Sequence, residues 1–302
     1  MTLLNLRKEM SNLKNFGIWG NTDKKSFWEI LPKILTWSKN KGLIPSLTTR
    51  ILKHENGVGL NQKRIKSKED MGNLDFMLVL GGDGTFLSLA RAIEHRNTPI
   101  LGIHLGDLGF LAKVTLKDLF IRLNQVIEGD FIIEKRILAK ASLLHKNKKI
   151  NHVGLNDFVL INGESYRMLN TKVRVDSQLV GNYQSDGLII STPTGSTAYS
   201  LSAGGPIVTP DVNSLIITPI AAHTLNSRPL VIPAESKIVI EFPKAEDSVL
   251  FIADGQVHVK LDPKSIIEVT KSDYHINLIN FKDCDYFQTL RVKMGWGRRG
   301  DN

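Results

Sequence analysis

The feature that most constrains the fold is an apolar run that ends in a glycine-rich loop. Residues 75–80, Asp-Phe-Met-Leu-Val-Leu, are followed by Gly81-Gly82-Asp83-Gly84-Thr85 and then by a helical pattern over 85–95. Continuous apolar runs suit strands that are buried on both faces of a parallel sheet. The succession of run, loop and helical pattern therefore predicts a βαβ unit.

The same alternation extends over the first 130 residues. Strands are also predicted at 16–20, 43–47 and 99–104, and helices at 24–40 and 116–128, with Gly129-Asp130 as a stop signal. We therefore predict an α/β, Rossmann-like N-terminal domain over residues 1–130.

Beyond about Phe131 the pattern changes to closely spaced strands. We predict a mainly β C-terminal domain over residues 131–274, with the tail 275–302 as a candidate to return to the first domain. Its predicted strands are 138–145, 154–161, 171–176, 188–192, 215–218, 237–242 and 249–253, and residues 195–202 are predicted to form one short helix or turn.

The net charge limits the choice of partner only weakly. Lysine and arginine number 39 against 30 acidic residues, a net charge of +9. Such a surplus fits nucleic acid, an acidic membrane surface or phosphorylated small molecules. An ordinary solvated basic surface explains it equally well, because the basic clusters at 63–66, 146–149 and 298–299 are scattered and have no interleaved aromatic residues.

Cysteine content and hydropathy indicate the compartment. Cys284 is the only cysteine, which excludes an intramolecular disulfide and a cysteine-based metal cluster within one chain, and favours a reducing compartment. Met1 to Leu13 lacks the apolar core of a signal peptide, and no other stretch is apolar for the roughly 20 residues that a membrane span needs. We expect a soluble, cytoplasmic protein.

The glycine-rich loop predicts a phosphate site. Glycines let the backbone approach a ligand closely, and the N–H groups and dipole at the start of the following helix attract an anion. The loop is neither the dinucleotide fingerprint nor a Walker A motif. A carboxylate beside such a cradle, here Asp83, can hold Mg²⁺ or accept a proton from an attacking hydroxyl. The alternative is an ordinary tight turn with an aspartate cap.

Three other runs carry polar groups suited to a nucleotide. Residues 102–111 follow a strand and are expected to form the next wall of one crevice, although His104 within them is more often a packed or surface histidine. Residues 185–200 combine glycines with many hydroxyls, which can donate to and accept from sugar and amide groups. The alternative interpretation is a simple Ser/Thr-rich loop. The polar pair Asn156-Asp157 interrupts a predicted apolar strand, which suits recognition of a base edge or a ribose. The alternative interpretation is that the pair marks the end of a strand.

In their order and spacing these runs resemble the NAD kinase family, and the bacterial members in particular. The glycine loop alone is shared with lipid kinases of the diacylglycerol and sphingosine type, whereas residues 194–206 point to NAD kinases. The first 70 residues match only in pattern. The matching runs are 81–85, 105–111, 156–157, 185–206, 223–230 and 254–256.

The resemblance implies an activity and an assembly. Family members transfer a phosphoryl group from ATP, or in some cases polyphosphate, to the 2′-hydroxyl of the adenosine ribose of NAD, with a divalent ion expected to be Mg²⁺. They fold as an α/β domain and a β-rich domain with the site in the cleft between, and form homodimers or homotetramers in which a neighbouring chain helps complete the site. NAD and ATP are thus the expected partners, with neither a membrane nor a specific nucleic acid.

The resemblance also assigns roles to residues of this chain. Asp83 is the general base, Asp186 is the carboxylate near the nicotinamide end, and Asp157 stands where the family usually has Glu. Gln184 stands where relatives carry Arg. The phosphate loop comprises Gly81, Gly82, Gly84 and Thr85, and the residues expected to bind NAD are Asp83, Gly84, Asn156, Asp157, Arg167, Asp186, Thr197, Ala198, Tyr199, Ser200, Leu201, Ser202 and Gln256.

Two other functions remain as alternatives. A lipid kinase sharing the glycine loop needs an acyl pocket or an interfacial helix with a basic and an apolar face, and no helical pattern here has both faces. A non-catalytic nucleotide- or nucleic-acid-binding protein would bind its ligand without any ATP-dependent change in it.

Overall fold

The computed structural model describes residues 13–296 except 107, 146–147, 165–166, 225 and 244–247. The chain divides into two compact units, Met1–Lys135 with Ile276–Asn302, and Arg136–His275. Several expectations fall outside the described residues: the N-terminal residues 1–12, Asp107 and Leu225 of the matching runs, parts of the basic clusters at 146–147 and 298–299, and residues 297–302 of the tail.

The secondary structure alternates strands and helices at first and is almost all strand later. The strands are β1 (Asn15–Gly20), β2 (Ile44–Thr48), β3 (Lys63–Ile65), β4 (Phe76–Gly81), β5 (Ile100–His104), β6 (Ile132–His145), β7 (Lys148–Gly154), β8 (Asp157–Asn162), β9 (Leu169–Val175), β10 (Gln178–Ser185), β11 (Gly187–Ser191), β12 (Ser214–Ile220), β13 (Leu230–Pro233), β14 (Ile238–Glu241), β15 (Val249–Ala253), β16 (Val257–Leu261) and β17 (Ile267–Asn280). The α-helices are α1 (Lys25–Asn40), α2 (Thr49–Lys53), α3 (Lys68–Gly72), α4 (Asp83–Ile93), α5 (Leu119–Glu128), α6 (Tyr199–Ser202) and α7 (Tyr286–Met294).

The first unit is built on a parallel sheet. Its strands lie in the order β3-β2-β1-β4-β5, and the end of β17 pairs in parallel with β5 through Leu278 and Ile100. All six residues of β4 are buried, as the continuous apolar run predicts. The carboxyl ends are level, because Gly20 is paired with Leu80 and Gly81 with His104. Loops that follow these strands therefore meet at one edge of the sheet.

Helices cover both faces of this sheet. Leu101 and Ile103 belong to a buried cluster with apolar residues of α1 and α5. Gly102 lies between them and faces the opposite way. A Cβ built on Gly102 would lie 3.1 Å from the Phe86 ring of α4, so α4 covers that other face. The predicted α/β architecture is confirmed.

The second unit consists of two sheets with one core between them. One sheet has the antiparallel order β13-β12-β11-β8-β15-β16, and the other joins β10, β9, β14, β17, β6 and β7. Alternate residues of both sheets form one buried cluster, as in Leu188 and Ile190 of β11 and Ile238 and Ile240 of β14. The predicted mainly β architecture is confirmed.

Several local predictions need correction. The strand predicted over 154–161 begins only at Asp157, so Asn156-Asp157 stands at the start of a strand and does not interrupt one. The helix predicted from Thr85 begins at Asp83, with Gly82 as its N-cap. Strands β10 and β16 were also missed, although the residues of β16 alternate between apolar and polar at the strand period. In the part of the chain that the structure describes, no helix is long and apolar enough to span a membrane.

Candidate active site

The glycine loop lies at the carboxyl end of β4. A Cβ on Gly81 would lie 2.3 Å from Thr85 Oγ1, so packing against Thr85 requires glycine there. A Cβ on Gly82 or on Gly84 would meet no heavy atom within 4 Å, and neither residue has a positive φ. Nothing in the described chain thus requires glycine at these two positions. Their surroundings are open to a ligand that must come close to the backbone.

Helix α4 presents its N-terminus at this loop. Gly82 caps the helix without a side-chain hydrogen bond, and its carbonyl accepts from the N–H groups of Thr85 and Phe86 at 3.0 and 3.1 Å. A helix start carries a partial positive charge and outward-directed N–H groups, which favour a bound anion. The helix that follows the loop has eleven residues, and its N-terminus is suited to the phosphate site that the sequence predicts.

The Asp83 side chain is held by the loop that follows β5. Its half-buried carboxylate accepts N–H bonds from Phe110 at 2.9 Å and from Leu111 and Ala112 at 3.1 Å each. A Cβ on Gly109 would lie 2.1 Å from Asp83 Oδ1, so only glycine lets this loop approach. An ionised carboxylate has about four acceptor positions. Asp83 therefore keeps about one position for a ligand.

His104 closes β5 as a packed histidine. It is 8% exposed, and its Nδ1 lies 2.6 Å from the Gly106 carbonyl oxygen. A carbonyl only accepts, so Nδ1 carries the proton of this bond. Nε2 has no hydrogen-bond partner among the described residues.

A cavity of about 670 Å³ opens beside the glycine loop in the first unit. Trp19 forms part of its lining, and the Trp19 indole donates to Ser88 Oγ of α4 at 3.0 Å. The lining includes three cationic side chains, Arg50, Lys66 and Lys68, against one carboxylate, Asp23. Arg50 Nη2 pairs with Asp23 at 3.1 Å. Lys68 pairs with Glu94, outside the lining, so the positive charge of the lining next to the start of α4 comes mainly from Lys66.

Apart from Gly84 and Thr85, the residues that line this cavity were not among the predicted site residues. Asn21, Thr49 and Lys66 follow β1, β2 and β3 at the carboxyl edge of the sheet. The rule that ligands gather at that edge could have pointed to them, had the short strand β3 been recognised.

In the second unit, the backbone around Asn156-Asp157 is fully hydrogen-bonded. The N–H groups of Leu155, Asn156 and Asp157 donate to the Asp254 carboxylate at 2.9, 2.7 and 3.1 Å. Thr192 donates its hydroxyl to the Leu155 carbonyl at 2.5 Å and its N–H to the Asn156 carbonyl at 2.9 Å. The Asp157 carbonyl accepts from the Asp254 N–H at 2.9 Å. The half-buried Asn156 amide forms no hydrogen bond among the described residues and is available to a ligand.

The Asp157 side chain is buried beside a second carboxylate. It is 4% exposed, and no hydrogen bond to its carboxyl group occurs in the described chain. Burial, and then the neighbouring Asp254 charge, raise the pKa of Asp157 to about 7. At neutral pH this carboxyl group is therefore protonated in a large fraction of molecules and can donate as well as accept.

The hydroxyl-rich segment meets the same loop. A Cβ on Gly195 would lie 2.1 Å from the Asn156 carbonyl oxygen, and Gln256 lies in the turn that begins at Asp254. Ser200 is fully buried, with its hydroxyl 2.9 Å from Thr218 Oγ1. The remaining predicted residues of the segment keep some exposure: Thr197, Ala198 and Leu201 are half-buried, and Tyr199 and Ser202 are exposed.

Two predicted NAD contacts lie elsewhere in the second unit. Asp186 is exposed and precedes β11, whereas Asn156 is level with Thr192 at the other end of that strand. Asp186 and Thr192 are six positions apart along the extended chain, roughly 20 Å at about 3.3 Å per residue. Arg167 is exposed and follows the end of β8 that is distant from Asp157. The structure thus does not bring Asp186 and Arg167 to Asn156 of the same chain.

Among the described residues there is no group of three or more His, Cys, Asp or Glu side chains that could hold a metal ion by itself.

The chain matches two family models. The ATP-NAD kinase N-terminal domain matches residues 17–131, and the ATP-NAD kinase C-terminal domain matches residues 155–281. The NAD kinase of Caldanaerobacter subterraneus subsp. tengcongensis is 38% identical over 283 residues, 93% of this chain and 99% of that protein. The NAD kinase of Syntrophotalea carbinolica is 36% identical over 288 residues, 95% of this chain and 100% of that protein.

Two solved structures share the fold. Yeast NADH kinase complexed with NADH superposes with a TM-score of 0.86 at 26% identity, covering 95% of this chain and 89% of that one. An NAD kinase from Archaeoglobus fulgidus in complex with ATP superposes with a TM-score of 0.74 at 27% identity, covering 93% of this chain and 98% of that one. Sequence and fold agree over both units, and the chain belongs to the NAD kinase family.

Proposed function

We propose that this chain is an NAD kinase that transfers the γ-phosphoryl group of ATP to the 2′-hydroxyl of the adenosine ribose of NAD, giving NADP. The observation that carries the proposal is the Asp83 carboxylate. Three backbone N–H groups hold it in place beside two glycines that nothing in the described chain requires. A fixed carboxylate next to an open phosphate loop is what phosphoryl transfer to a hydroxyl needs.

ATP is assigned to the cavity of the first unit. The start of α4 receives the phosphates, with Gly82 and Gly84 allowing close approach. Lys66 in the cavity lining offsets the phosphate charge, whereas Lys68 is already paired with Glu94. The structure of the Archaeoglobus fulgidus relative in complex with ATP supports this choice of donor.

Mg²⁺ is assigned to the donor nucleotide. Mg²⁺ in nucleotide sites is held mainly by substrate phosphates with one or two carboxylates, which fits the absence of a multi-residue metal cluster in the described chain. The remaining acceptor position of Asp83 is needed for the ribose hydroxyl, so the carboxylate proposed for the ion is Asp23 of the cavity lining. When bound, the ion spreads the charge of the transferred phosphoryl group.

NAD-binding residues are also proposed in the second unit. The Asn156 amide has both its oxygen and its NH₂ group available for a base edge or a ribose hydroxyl. The family resemblance supports further NAD-binding residues in this unit. They are Asp157, Thr197, Ala198, Tyr199, Ser200, Leu201, Ser202 and Gln256. The yeast relative, solved with NADH, supports a dinucleotide as acceptor.

Asp186 and Arg167 are proposed to act through assembly. Each is exposed, and Asp186 lies roughly 20 Å along the sheet from Asn156 of its own chain. That separation fits a homodimer or homotetramer in which a neighbouring chain helps complete the site. We also propose a cytoplasmic location, in line with the single cysteine of the sequence.

The chemical step requires Asp83 to act through its remaining acceptor position. The ribose hydroxyl donates to that position, and its proton passes to the carboxylate as the hydroxyl oxygen forms a bond to the γ-phosphorus. The bond between the γ-phosphorus and the oxygen that bridges it to the β-phosphate breaks, and ADP leaves with that oxygen. General base catalysis is typically worth about 10²–10⁴ in rate, so most of the acceleration comes from positioning and electrostatics.

The test is a coupled assay. Purified protein is incubated with NAD, ATP and Mg²⁺, and the product is read by a dehydrogenase that uses only NADP. The proposal expects NADP that depends on ATP. Bound NAD without product under ATP leads to a repeat with polyphosphate, and absence of product with both donors would overturn the proposal in favour of a non-catalytic binding protein.

A further inference from the structure

Asp254 belongs to a matching run of the sequence, yet no role follows for it from the proposed reaction. It is 8% exposed, has φ of +49°, and begins the turn that joins β15 to β16. Its carboxylate accepts the three N–H groups of Leu155, Asn156 and Asp157, and its own N–H donates to the Asp157 carbonyl. One residue therefore fixes three consecutive backbone units from both directions.

The fit around this contact is close. A Cβ on Gly154 would lie 3.2 Å from Asp254 Oδ1 and 3.0 Å from the Phe158 ring, tighter than ordinary contacts. On the other side, Gly195 leaves no room for a Cβ against the Asn156 carbonyl. The segment from Leu155 to Asp157 is thus confined by two glycines and six backbone hydrogen bonds.

We propose that Asp254 is a positioning residue that sets the direction of the Asn156 side chain for binding of the dinucleotide. All backbone donors and acceptors of the segment are already used, so the Asn156 amide is left to recognise a ligand. Its direction depends on the backbone conformation that Asp254 imposes. Asp254 needs no contact with NAD or ATP for this effect. The inference rests on the proposed function, because it takes NAD as the ligand of Asn156.

Asp176 offers a matched control in the same unit. It has φ of +48°, its Oδ1 accepts the Lys237 N–H at 2.8 Å, and its own N–H donates to the Lys237 carbonyl at 3.0 Å. It therefore repeats the two-way aspartate contact of Asp254 at an exposed turn between β9 and β10. Asp176→Ala reports the effect of losing such a contact away from the proposed site.

The experiment compares steady-state kinetics of the wild type, Asp254→Ala, Asp254→Asn and Asp176→Ala. Asp254→Ala is expected to raise KM for NAD by about tenfold or more while KM for ATP changes by less than about twofold, since small misplacements of a binding group are costly. Asp254→Asn keeps one acceptor oxygen and is expected to lie between. Asp176→Ala is expected to leave both KM values unchanged.

The outcomes separate the two proposals. No NADP from wild-type protein would refute the proposed function. Active wild type with an unchanged KM for NAD in both Asp254 variants would refute the positioning role. A loss of kcat alone, with thermal unfolding shifted as in Asp176→Ala, would also refute it, because that pattern means fewer folded molecules. If Asp254→Ala does not fold, the NAD dissociation constant of Asp254→Asn by calorimetry decides: about threefold weaker or more supports the inference, and unchanged affinity overturns it.

Discussion

Asp83 in the α/β unit and Asp254 in the β unit form the same kind of contact, a carboxylate bonded to three backbone N–H groups, but their proposed roles differ. Each carboxylate accepts three consecutive backbone N–H groups from a segment distant in sequence. Asp83 is half-buried and stands beside glycines with open surroundings, so the contact holds the carboxylate itself for use. Asp254 is buried, and the contact holds the neighbouring Asn156 instead. In the two proposals the exposure of the carboxylate distinguishes the roles: the half-buried Asp83 itself meets a ligand, and the buried Asp254 positions Asn156.

The sharpest test of this difference is Asp83→Asn. The amide cannot accept the ribose proton, so kcat is expected to fall by about 10²–10⁴ while NAD still binds. Steady-state kinetics and NAD titration measure the two effects. Retained turnover would show that Asp83 serves only to hold the loop at Phe110 to Ala112.

The second test uses pH, because the buried carboxyl group of Asp157 lies next to Asp254. Since the pKa of Asp157 is raised to about 7 in the folded state, its protonated form stabilises the fold below pH 4, and this contribution is lost as pH rises through 7. The loss is on the order of a few kcal/mol. Asp157→Asn should remove this pH dependence in urea unfolding between pH 5 and 8.

Asp254→Asn sharpens the same measurement. Removing the Asp254 charge removes a cause of the raised pKa of Asp157, so the pH dependence should move to lower pH. The pKa of Asp176 is lowered, chiefly because its carboxylate accepts the Lys237 N–H, so Asp176→Asn should leave the profile between pH 5 and 8 unchanged. An identical profile for Asp157→Asn and wild type would contradict the assignment.

Gly109→Ala disturbs the contact between Asp83 and the N–H groups of Phe110 to Ala112 without removing the carboxylate. Its Cβ would lie 2.1 Å from Asp83 Oδ1, so the loop must shift, at about 1–3 kcal/mol of stability. We expect a loss of kcat clearly smaller than that of Asp83→Asn, measured in the same assay. Equal losses in both variants would mean that loop position, and not the carboxylate, carries the activity.

Asp75→Asn is the matched control in the first unit. Asp75 Oδ2 accepts the N–H groups of Lys14 and Asn15 at 2.7 Å each, away from the glycine loop. Thermal unfolding should report a loss of about 1–2 kcal/mol, typical of hydrogen bonds to a charged group, with kcat unchanged. A fall in kcat here would show that loss of any such contact impairs the enzyme.

Much of the framework was predictable from local pattern. The apolar run before the glycine loop gave β4, the 3.6-residue period gave α1 and α5, and continuous apolar strands indicated the parallel sheet. Strand β16 escaped the prediction although its five residues alternate between apolar and polar, so in this case the missed signal was a local one. The start of α4 at Asp83 escaped it because Gly82 caps the helix without a side-chain signal.

The candidate site was predictable in its parts but not in its contacts. The glycine loop and Asn156-Asp157 stand out as polar runs beside apolar ones, and the family resemblance joins them. Nothing local marks Asp254 as the partner of Asn156, since 98 positions separate them. The same holds for Arg50 and Lys66, which reach one cavity only because three parallel strands end at one edge.

The sequence by itself predicted the fold class, because periodicity is a local property, and it indicated the family through the resemblance of its glycine-rich and polar runs. The tertiary structure decided what each carboxylate holds. The Asp83 donors lie 27–29 positions later and the Asp254 donors 97–99 positions earlier, so these bonds exist only once sheet register has placed the loops. It also decided the protonation of Asp157, because burial and a neighbouring charge exist only in the folded chain.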